Sequence, residues 1–225
     1  MAKIKVIVFD SNETLLDLAA LDPEFKRIFG RAEVRRQWFK QLLELFLTAT
    51  IVDEYRSFER LADSALEMVA DWSRVELGKD DKARVHAAML ELPPHPDVTG
   101  ALERLRGAGF RLAVLTNSTK KSATAQMKHA HLDQYFDEIL SADDVKRYKP
   151  AAEAYEHAAN KLDVKPKEIR LVAAHAWDIS GALAAECKAA FVQRAEKALD
   201  PDGAQPDVRG TTLGEVAESI IREDR

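Results

Sequence analysis

The chain has 225 residues, a net charge of −5, 46% hydrophobic residues and 32% charged residues, proportions that exclude disordered and fibrous classes of protein. No apolar run reaches the ~20 residues of a membrane span, and no dense basic stripe indicates nucleic-acid binding. The single cysteine, Cys187, excludes an internal disulfide framework. Because no secretory cleavage signal is evident near the N-terminus, we expect a cytoplasmic protein.

Short apolar runs alternate with helical patterns along most of the chain. Runs of this length are typical of strands buried on both faces of a parallel sheet. We predict strands at residues 5–9, 112–115, 139–140, 171–174 and 190–192, and helices at residues 98–108, 120–131, 151–162 and 179–188. The alternation predicts an α/β fold with a doubly wound core.

One long segment after the first strand breaks this alternation. Two helical stripes lie in it, formed by Phe39, Leu42, Leu43 and Phe46 and by Phe58, Leu61, Ala65 and Met68. A proline-rich linker, residues 93–96, ends the segment. We therefore predict a helical insert or cap at residues 16–93, with the core formed by residues 1–15 and 94–225. The insert leaves from the carboxyl end of the first strand, the edge at which ligands bind in open α/β sheets.

Polar residues follow two of the predicted strands. Asp10 comes directly after the first strand, where a carboxylate faces the crevice of the sheet; a turn or N-cap residue is the alternative. Thr116, Asn117 and Ser118 follow the second strand, before a helix. A helix N-terminus offers free N–H groups to an anion, although a simple N-cap explains the same pattern.

Two further segments add a cation, a histidine and a second carboxylate. Lys149 precedes Pro150, so its backbone is held extended, which indicates a positioned cation rather than a solvated lysine. His175 and Asp178 follow a buried strand and form a possible base and orienter; a loop histidine and an N-cap are the alternative. Together the four segments predict nucleophilic catalysis on an anionic substrate.

In this order, the four segments resemble those of the haloacid dehalogenase superfamily, and most of all the type II (S)-2-haloacid dehalogenases. The resemblance covers nearly the whole chain. It implies a Rossmann-like parallel-sheet core, a helical cap inserted after the first strand, a homodimer, no cofactor, and a small haloacid as the substrate. The implied catalytic residues are Asp10, Thr14, Lys149, Asp178 and His175. The implied substrate-binding residues are Asn12, Glu13, Thr116, Asn117, Tyr155, Trp177, Phe39, Leu43, Phe58 and Arg35.

Several positions depart from the patterns of this superfamily. Its phosphatases carry an acid where this chain has Asn12, and another where it has Ala174, so we predict no metal site. Its dehalogenases usually have Tyr-Gly in place of Asn12 and Glu13. The cap arginine that assists halide departure falls on Phe39. We therefore expect the departing halide to be bound by Arg35, or by N–H groups of His175 or Trp177, in place of that arginine.

The resemblance implies that Asp10 displaces the halide from a 2-haloalkanoate and that water, activated near Asp178 and His175, hydrolyses the resulting ester. Lys149 keeps Asp10 ionised. Because fluoride depends most on hydrogen bonding as it leaves, a His175 donor in a pocket narrowed by Phe39 and Phe58 favours fluoroacetate. Two alternatives stay open: a magnesium-dependent phosphatase, and an inactive relative that only binds.

Overall fold

A computed structural model describes residues 3–224 and shows six parallel strands in one sheet. The strands are β1 (Val6–Phe9), β2 (Arg111–Thr116), β3 (Glu138–Ser141), β4 (Ile169–Ala173), β5 (Lys188–Val192) and β6 (Val208–Gly210). Their order across the sheet is β3-β2-β1-β4-β5-β6. The change of direction at β1 is a topological switch point, where open α/β sheets form their ligand crevice. The predicted α/β fold class is confirmed.

Helices cover the sheet and form the insert. Those of the insert are α1 (Asp22–Phe29), α2 (Val34–Ile51), α3 (Phe58–Ser73) and α4 (Asp81–Leu90). Those that follow it are α5 (Val98–Gly107), α6 (Lys120–His129), α7 (Ala152–Leu162), α8 (Ala176–Ala184) and α9 (Leu213–Asp224). Among residues 3–224, no helix has the length and apolarity needed to cross a bilayer.

The central strands are apolar on both faces, as a sheet covered on both sides requires. Ile7 and Phe9 of β1 pack into the larger apolar cluster, which also includes side chains of α2, α3, α5 and α9. Val6 and Val8, which point the opposite way, pack into a second cluster together with side chains of α7 and α8. This alternation places the end of β1 between two buried layers.

The insert is connected to the core by two segments that run side by side. Leu16 bridges Pro94, the Asp17 N–H donates to the Pro93 carbonyl over 2.8 Å, and the His95 N–H donates to the Leu15 carbonyl over 2.9 Å. The helices α1–α4 lie between these two segments. The division into a core and a cap domain at residues 16–93 remains a prediction.

The structure corrects several predicted bounds. Helix α8 begins at Ala176 and ends at Ala184, not at residues 179 and 188. His175 is the N-cap residue of this helix. The segment from His175 to Asp178, which we placed after the end of a strand, is therefore already the start of the helix. Lys188, predicted as helical, begins β5. We did not predict β6, since its short run contains Arg209 and offers no apolar pattern. We also did not predict α9, although Leu213, Val216, Ala217 and Ile220 form a buried stripe at helical spacing.

Candidate active site

The carboxyl ends of three neighbouring strands bring the predicted site residues together. Phe9 pairs with Val114 of β2 on one side and with Val172 of β4 on the other. Asp10, directly after Phe9, donates its N–H to the Val172 carbonyl over 3.0 Å. Side chains that follow β1, β2 and β4 therefore meet above the centre of the sheet.

Three groups hold the Asp10 carboxylate. Its Oδ1 accepts a hydrogen bond from Lys149 Nζ over 2.9 Å, and its Oδ2 accepts one from Thr14 Oγ1 over 2.7 Å. The Nδ1 atom of His175 lies 3.2 Å from the same Oδ2. Burial by itself raises the pKa of Asp10, but the charges of Lys149 and His175 and these hydrogen bonds together hold it well below its usual range. Asp10 is therefore an ionised carboxylate whose side chain is only 7% exposed.

Lys149 is fully buried between two carboxylates. Its Nζ donates to Asp178 Oδ2 over 2.6 Å and to the Leu115 carbonyl over 2.8 Å, in addition to Asp10. Burial opposes the charged ammonium, but the two carboxylates outweigh it and raise the pKa of Lys149. Burial also raises the pKa of Asp178, against the opposing charge of Lys149. The other Asp178 oxygen accepts from Tyr155 Oη over 2.6 Å.

Close packing fixes the position of this buried pair. The Asn117 side chain makes two hydrogen bonds to the backbone of Lys149. Its Oδ1 accepts from the Lys149 N–H over 2.8 Å, and its Nδ2 donates to the Lys149 carbonyl over 3.2 Å. Gly181 of α8 lies against Pro150 and Tyr155, and a Cβ atom there would stand 2.5 Å from both side chains. Glycine thus lets α8 approach closely enough to present Asp178 to Lys149.

The site does not fit a magnesium ion. The Lys149 ammonium occupies the space between Asp10 and Asp178, and both Asp178 oxygens are already bonded. Ala174 stands where a further carboxylate would be needed, whereas Mg²⁺ requires several oxygen ligands. Within residues 3–224 no group of three or more potential metal-binding side chains is arranged around one point.

His175 pairs with Glu13 rather than with Asp178. Its Nε2 lies 2.9 Å from Glu13 Oε2, an oxygen that Lys197 Nζ also contacts. Burial lowers the pKa of His175, but its hydrogen bonds to Asp10 and Glu13 and their charges raise it above the ordinary 6.5 overall. The predicted pairing of His175 with Asp178 is therefore replaced, because the Asp178 side chain is held by Lys149 and Tyr155.

A small cavity of about 20 Å³ lies against Asp10. This volume holds one water molecule. Nine predicted residues line it, namely Asp10, Asn12, Phe39, Leu43, Phe58, Thr116, Asn117, His175 and Trp177, and with them Phe46 and Ser118. Apart from Asp10 and His175 the lining carries no ionisable side chain. The indole Nε1 of Trp177 is a buried donor without a hydrogen-bond partner.

The other predicted residues lie behind or beside this cavity. Thr14, Lys149, Tyr155 and Asp178 form the layer behind Asp10, and Glu13 lies beyond His175. Arg35 does not line the cavity, because its Nε is bonded to Asp22 Oδ1 over 2.6 Å and its nearer contact to the site is Glu13 Oε1 at 4.0 Å. With Phe39, His175 and Trp177 it lines a neighbouring cavity of about 410 Å³, so a role of Arg35 at the halide stays a prediction.

Sequence reasoning missed two residues of the site, Phe46 and Lys197, whereas Ser118 belongs to the polar segment already noted after the second strand. Phe46 is part of the predicted stripe on α2, so it had a usable signal. Lys197 had none, because it belongs to an irregular segment between β5 and β6 that shows no periodicity. Its ammonium reaches Glu13 only through the folding of that segment.

Comparisons with known proteins agree with this geometry. A family model described as haloacid dehalogenase-like hydrolase matches residues 4–186. An (S)-2-haloacid dehalogenase 4A of Burkholderia cepacia is 35% identical, over 80% of this chain and 78% of its own. An (S)-2-haloacid dehalogenase 1 of Pseudomonas sp. (strain CBS-3) is 31% identical, over 99% of both chains. A crystal structure of a dehalogenase with an intermediate complex superposes with a TM-score of 0.90 at 30% identity, over 97% of this chain and 98% of its own. The chain belongs to the haloacid dehalogenase-like hydrolase family.

Proposed function

We propose that this protein is an (S)-2-haloacid dehalogenase that hydrolyses short 2-haloalkanoates to 2-hydroxyalkanoates through an ester on Asp10. The observation that carries the proposal is an ionised Asp10 carboxylate at the wall of a small, mostly apolar cavity. Such a carboxylate is poorly solvated, because the cavity has little room for water that would compete with its attack on carbon.

In the first step an Asp10 oxygen attacks the carbon that carries the halogen, a C–O bond forms and the halide leaves with the bonding electrons. Lys149 is aligned with Asp10 by Asp178 and by the Leu115 carbonyl, so the attacking group is fixed before the substrate arrives. The polar stretch of Thr116, Asn117 and Ser118 binds the substrate carboxylate. The halide departs toward the aromatic side of the cavity, where Trp177 Nε1 is an available donor.

In the second step water attacks the carbonyl carbon of the Asp10 ester and releases the hydroxyacid. The substrate carbon is inverted once, because its new oxygen comes from Asp10 and the second attack occurs at the carboxyl carbon. Asp178 keeps Lys149 beside the reacting carboxyl group throughout. No organic or redox cofactor takes part in either step.

The cavity favours the smallest substrates. Phe39 and Phe58 wall a space of about 20 Å³, so haloacetates fit with less rearrangement than longer haloacids. We propose that fluoroacetate is among the substrates, since the small fluoride ion gains most from nearby hydrogen-bond donors. Release of fluoride, chloride and bromide from the three haloacetates, measured on the purified enzyme, tests this.

Oxygen labelling tests the ester. A single turnover in ¹⁸O-water places one labelled oxygen in Asp10 and none in the product, because the product takes its oxygen from the unlabelled carboxylate. Mass spectrometry of the peptide that contains Asp10 reads the label. Label in the first-turnover product, with none in Asp10, contradicts the two-step mechanism.

Two statements about the whole molecule belong to the same proposal. We infer a homodimer, because Ile51, Val52 and Trp72 of the insert are apolar and more than half exposed. We place the protein in the cytoplasm, where its free and buried Cys187 stays reduced. Sedimentation velocity and cell fractionation test these two statements. No observation favours the phosphatase alternative over the dehalogenase.

A further inference from the structure

We propose that Glu59 is a positioning residue that limits the enzyme to short haloacids, because it holds Phe58 between the reaction cavity and a second, larger cavity. The inference rests on the proposed function and extends it to a determinant of substrate length. The reaction cavity is the space of about 20 Å³ against Asp10. The second cavity has a volume of about 440 Å³ and lies between the insert and α6.

Side chains form the boundary between the two cavities. Phe58 lines both of them, is 6% exposed, and packs its ring against that of Phe46 with centroids 5.4 Å apart. Ser118 also lines both cavities. Beside it, Gln126 of the second cavity donates a hydrogen bond to Asn12 of the reaction cavity over 3.3 Å. The Phe58 ring is the largest group of this boundary, so its position decides whether the two spaces are joined.

The second cavity suits an alkyl chain. Apolar side chains of three helices form most of its insert side, namely Trp38, Ala62, Leu66, Val85, Met89 and Leu90. Of the polar groups on the same side, Asp63 and His86 are 2.8 Å apart and pair with each other. A chain on the reacting carbon of a longer 2-haloalkanoate would be buried among these apolar groups once Phe58 moved aside.

Glu59 connects the first turn of α3 to the first turn of α6. Its Oε1 accepts hydrogen bonds from Thr119 Oγ1 and Ser122 Oγ, each over 2.9 Å. Thr119 is the N-cap residue of α6, so the carboxylate lies where the helix dipole favours a negative charge. Burial raises the pKa of Glu59, but hydrogen bonds from its own N–H, from Thr119 and from Ser122 outweigh burial and lower it. Glu59 is therefore an ionised group that joins the insert to the core.

This connection acts on Phe58 because the two residues are neighbours at the start of α3. The first N–H groups of a helix have no partner within the helix, so side-chain contacts determine how firmly this turn is held. On the other side of Phe58, Tyr148 Oη donates to the Arg56 carbonyl over 2.6 Å. Loss of the Glu59 carboxylate would thus loosen the turn that carries Phe58, while the segment before it stays attached to the core.

Steady-state kinetics with bromoacetate and (S)-2-bromohexanoate test the proposal, with bromide release measured on the purified full chain. Glu59→Ala removes the connection, and Ser122→Ala removes one of its donors from the side of the core. Glu59→Gln keeps an amide oxygen that accepts the same hydrogen bonds. Phe58→Ala removes the ring itself and is the positive reference. The control is Asp63→Ala, because Asp63 lies one turn further along α3 and lines the same cavity but pairs with His86 of the insert.

We expect Glu59→Ala to raise the ratio of kcat/KM for 2-bromohexanoate to that for bromoacetate by about 10-fold or more, mainly through a lower KM for the longer acid. Ser122→Ala shifts the ratio in the same direction by less, and Glu59→Gln keeps the wild-type ratio. A role in the fold alone would lower kcat on both acids and leave the ratio unchanged. An unchanged ratio in Glu59→Ala or in Phe58→Ala, or an equal rise in Asp63→Ala, overturns the proposal.

Hydrogen exchange of the backbone amides of residues 57–62, followed by mass spectrometry, reports on the connection without any substrate. We expect faster exchange in Glu59→Ala than in the wild-type protein or in Asp63→Ala, because the first turn of α3 opens more often when it is not held to α6. Unchanged exchange in Glu59→Ala overturns the positioning role of Glu59. Wild-type protein that releases no bromide from bromoacetate refutes the proposed function instead.

Discussion

Removal of Lys149 tests the electrostatic core of the site most directly. We consider Lys149→Met, which keeps the length of the side chain but leaves Asp10 and Asp178 facing each other without a cation. Loss of one partner of a buried ion pair destabilises proteins by about 3–5 kcal/mol. In a domain of this size each kcal/mol lowers Tm by about 2–4 °C. We therefore expect a decrease in Tm of roughly 6–20 °C at neutral pH.

The pH dependence of this loss has a definite sign. In the wild-type protein the pKa of Asp10 is lower in the folded state than in the unfolded state. The ionised Asp10 therefore stabilises the folded protein at pH values above its unfolded-state pKa. This stabilisation is lost as the pH falls through its folded-state pKa. Without Lys149, burial raises the pKa of both carboxyl groups. The folded variant then binds a proton at a pH where the unfolded chain does not. Its deficit in the free energy of unfolding is therefore largest at neutral pH and shrinks toward pH 5.

Urea denaturation of both proteins between pH 5 and pH 8 measures this deficit. The control is Lys82→Met, because Lys82 pairs with Glu67 on the exposed surface of the insert. For such a pair we expect a change in Tm below about 2 °C and no trend with pH. A deficit in Lys149→Met that is constant with pH, or equal to that of the control, refutes the assignment of Lys149 as the counterion of two buried carboxylates.

Four further outcomes are expected. Halide release by the wild-type enzyme is the same in EDTA as in Mg²⁺, and a loss in EDTA that Mg²⁺ restores would revive the phosphatase alternative. Phe39→Leu enlarges the cavity and raises the rate on bromoacetate relative to fluoroacetate by roughly 10-fold, measured as kcat/KM. Thr14→Val leaves the Ala174 N–H, now bonded over 3.0 Å, without a partner, and lowers the free energy of unfolding by about 1–3 kcal/mol in urea. His175→Asn reduces fluoride release from fluoroacetate more than chloride release from chloroacetate, and equal losses would contradict a role for His175 at the halide.

The sequence predicted the meeting of Asp10, Thr116, Lys149 and Asp178, because the carboxyl ends of parallel strands share one edge. It could not predict the partner of His175. Asp178 is only three residues away in the sequence. However, His175 is the N-cap of α8, and Asp178 lies in the first turn of that helix. The side chain of Asp178 is bonded to Lys149 instead. Contacts of this kind depend on where a helix begins, and strand periodicity does not determine that.

The missing cap arginine and the His175–Glu13 pair belong to one electrostatic arrangement. From Asp178 through Lys149, Asp10, His175 and Glu13 to Lys197, negative and positive groups alternate, and each neighbour is in contact with the next. With His175 protonated and Asp178 ionised, three carboxylates face three cations and the resting row is neutral. Attack by Asp10 transfers its charge to the departing halide and leaves the row with one excess positive charge. That charge arises beside the cavity as the halide forms, which is when the arginine absent at Phe39 would otherwise be needed.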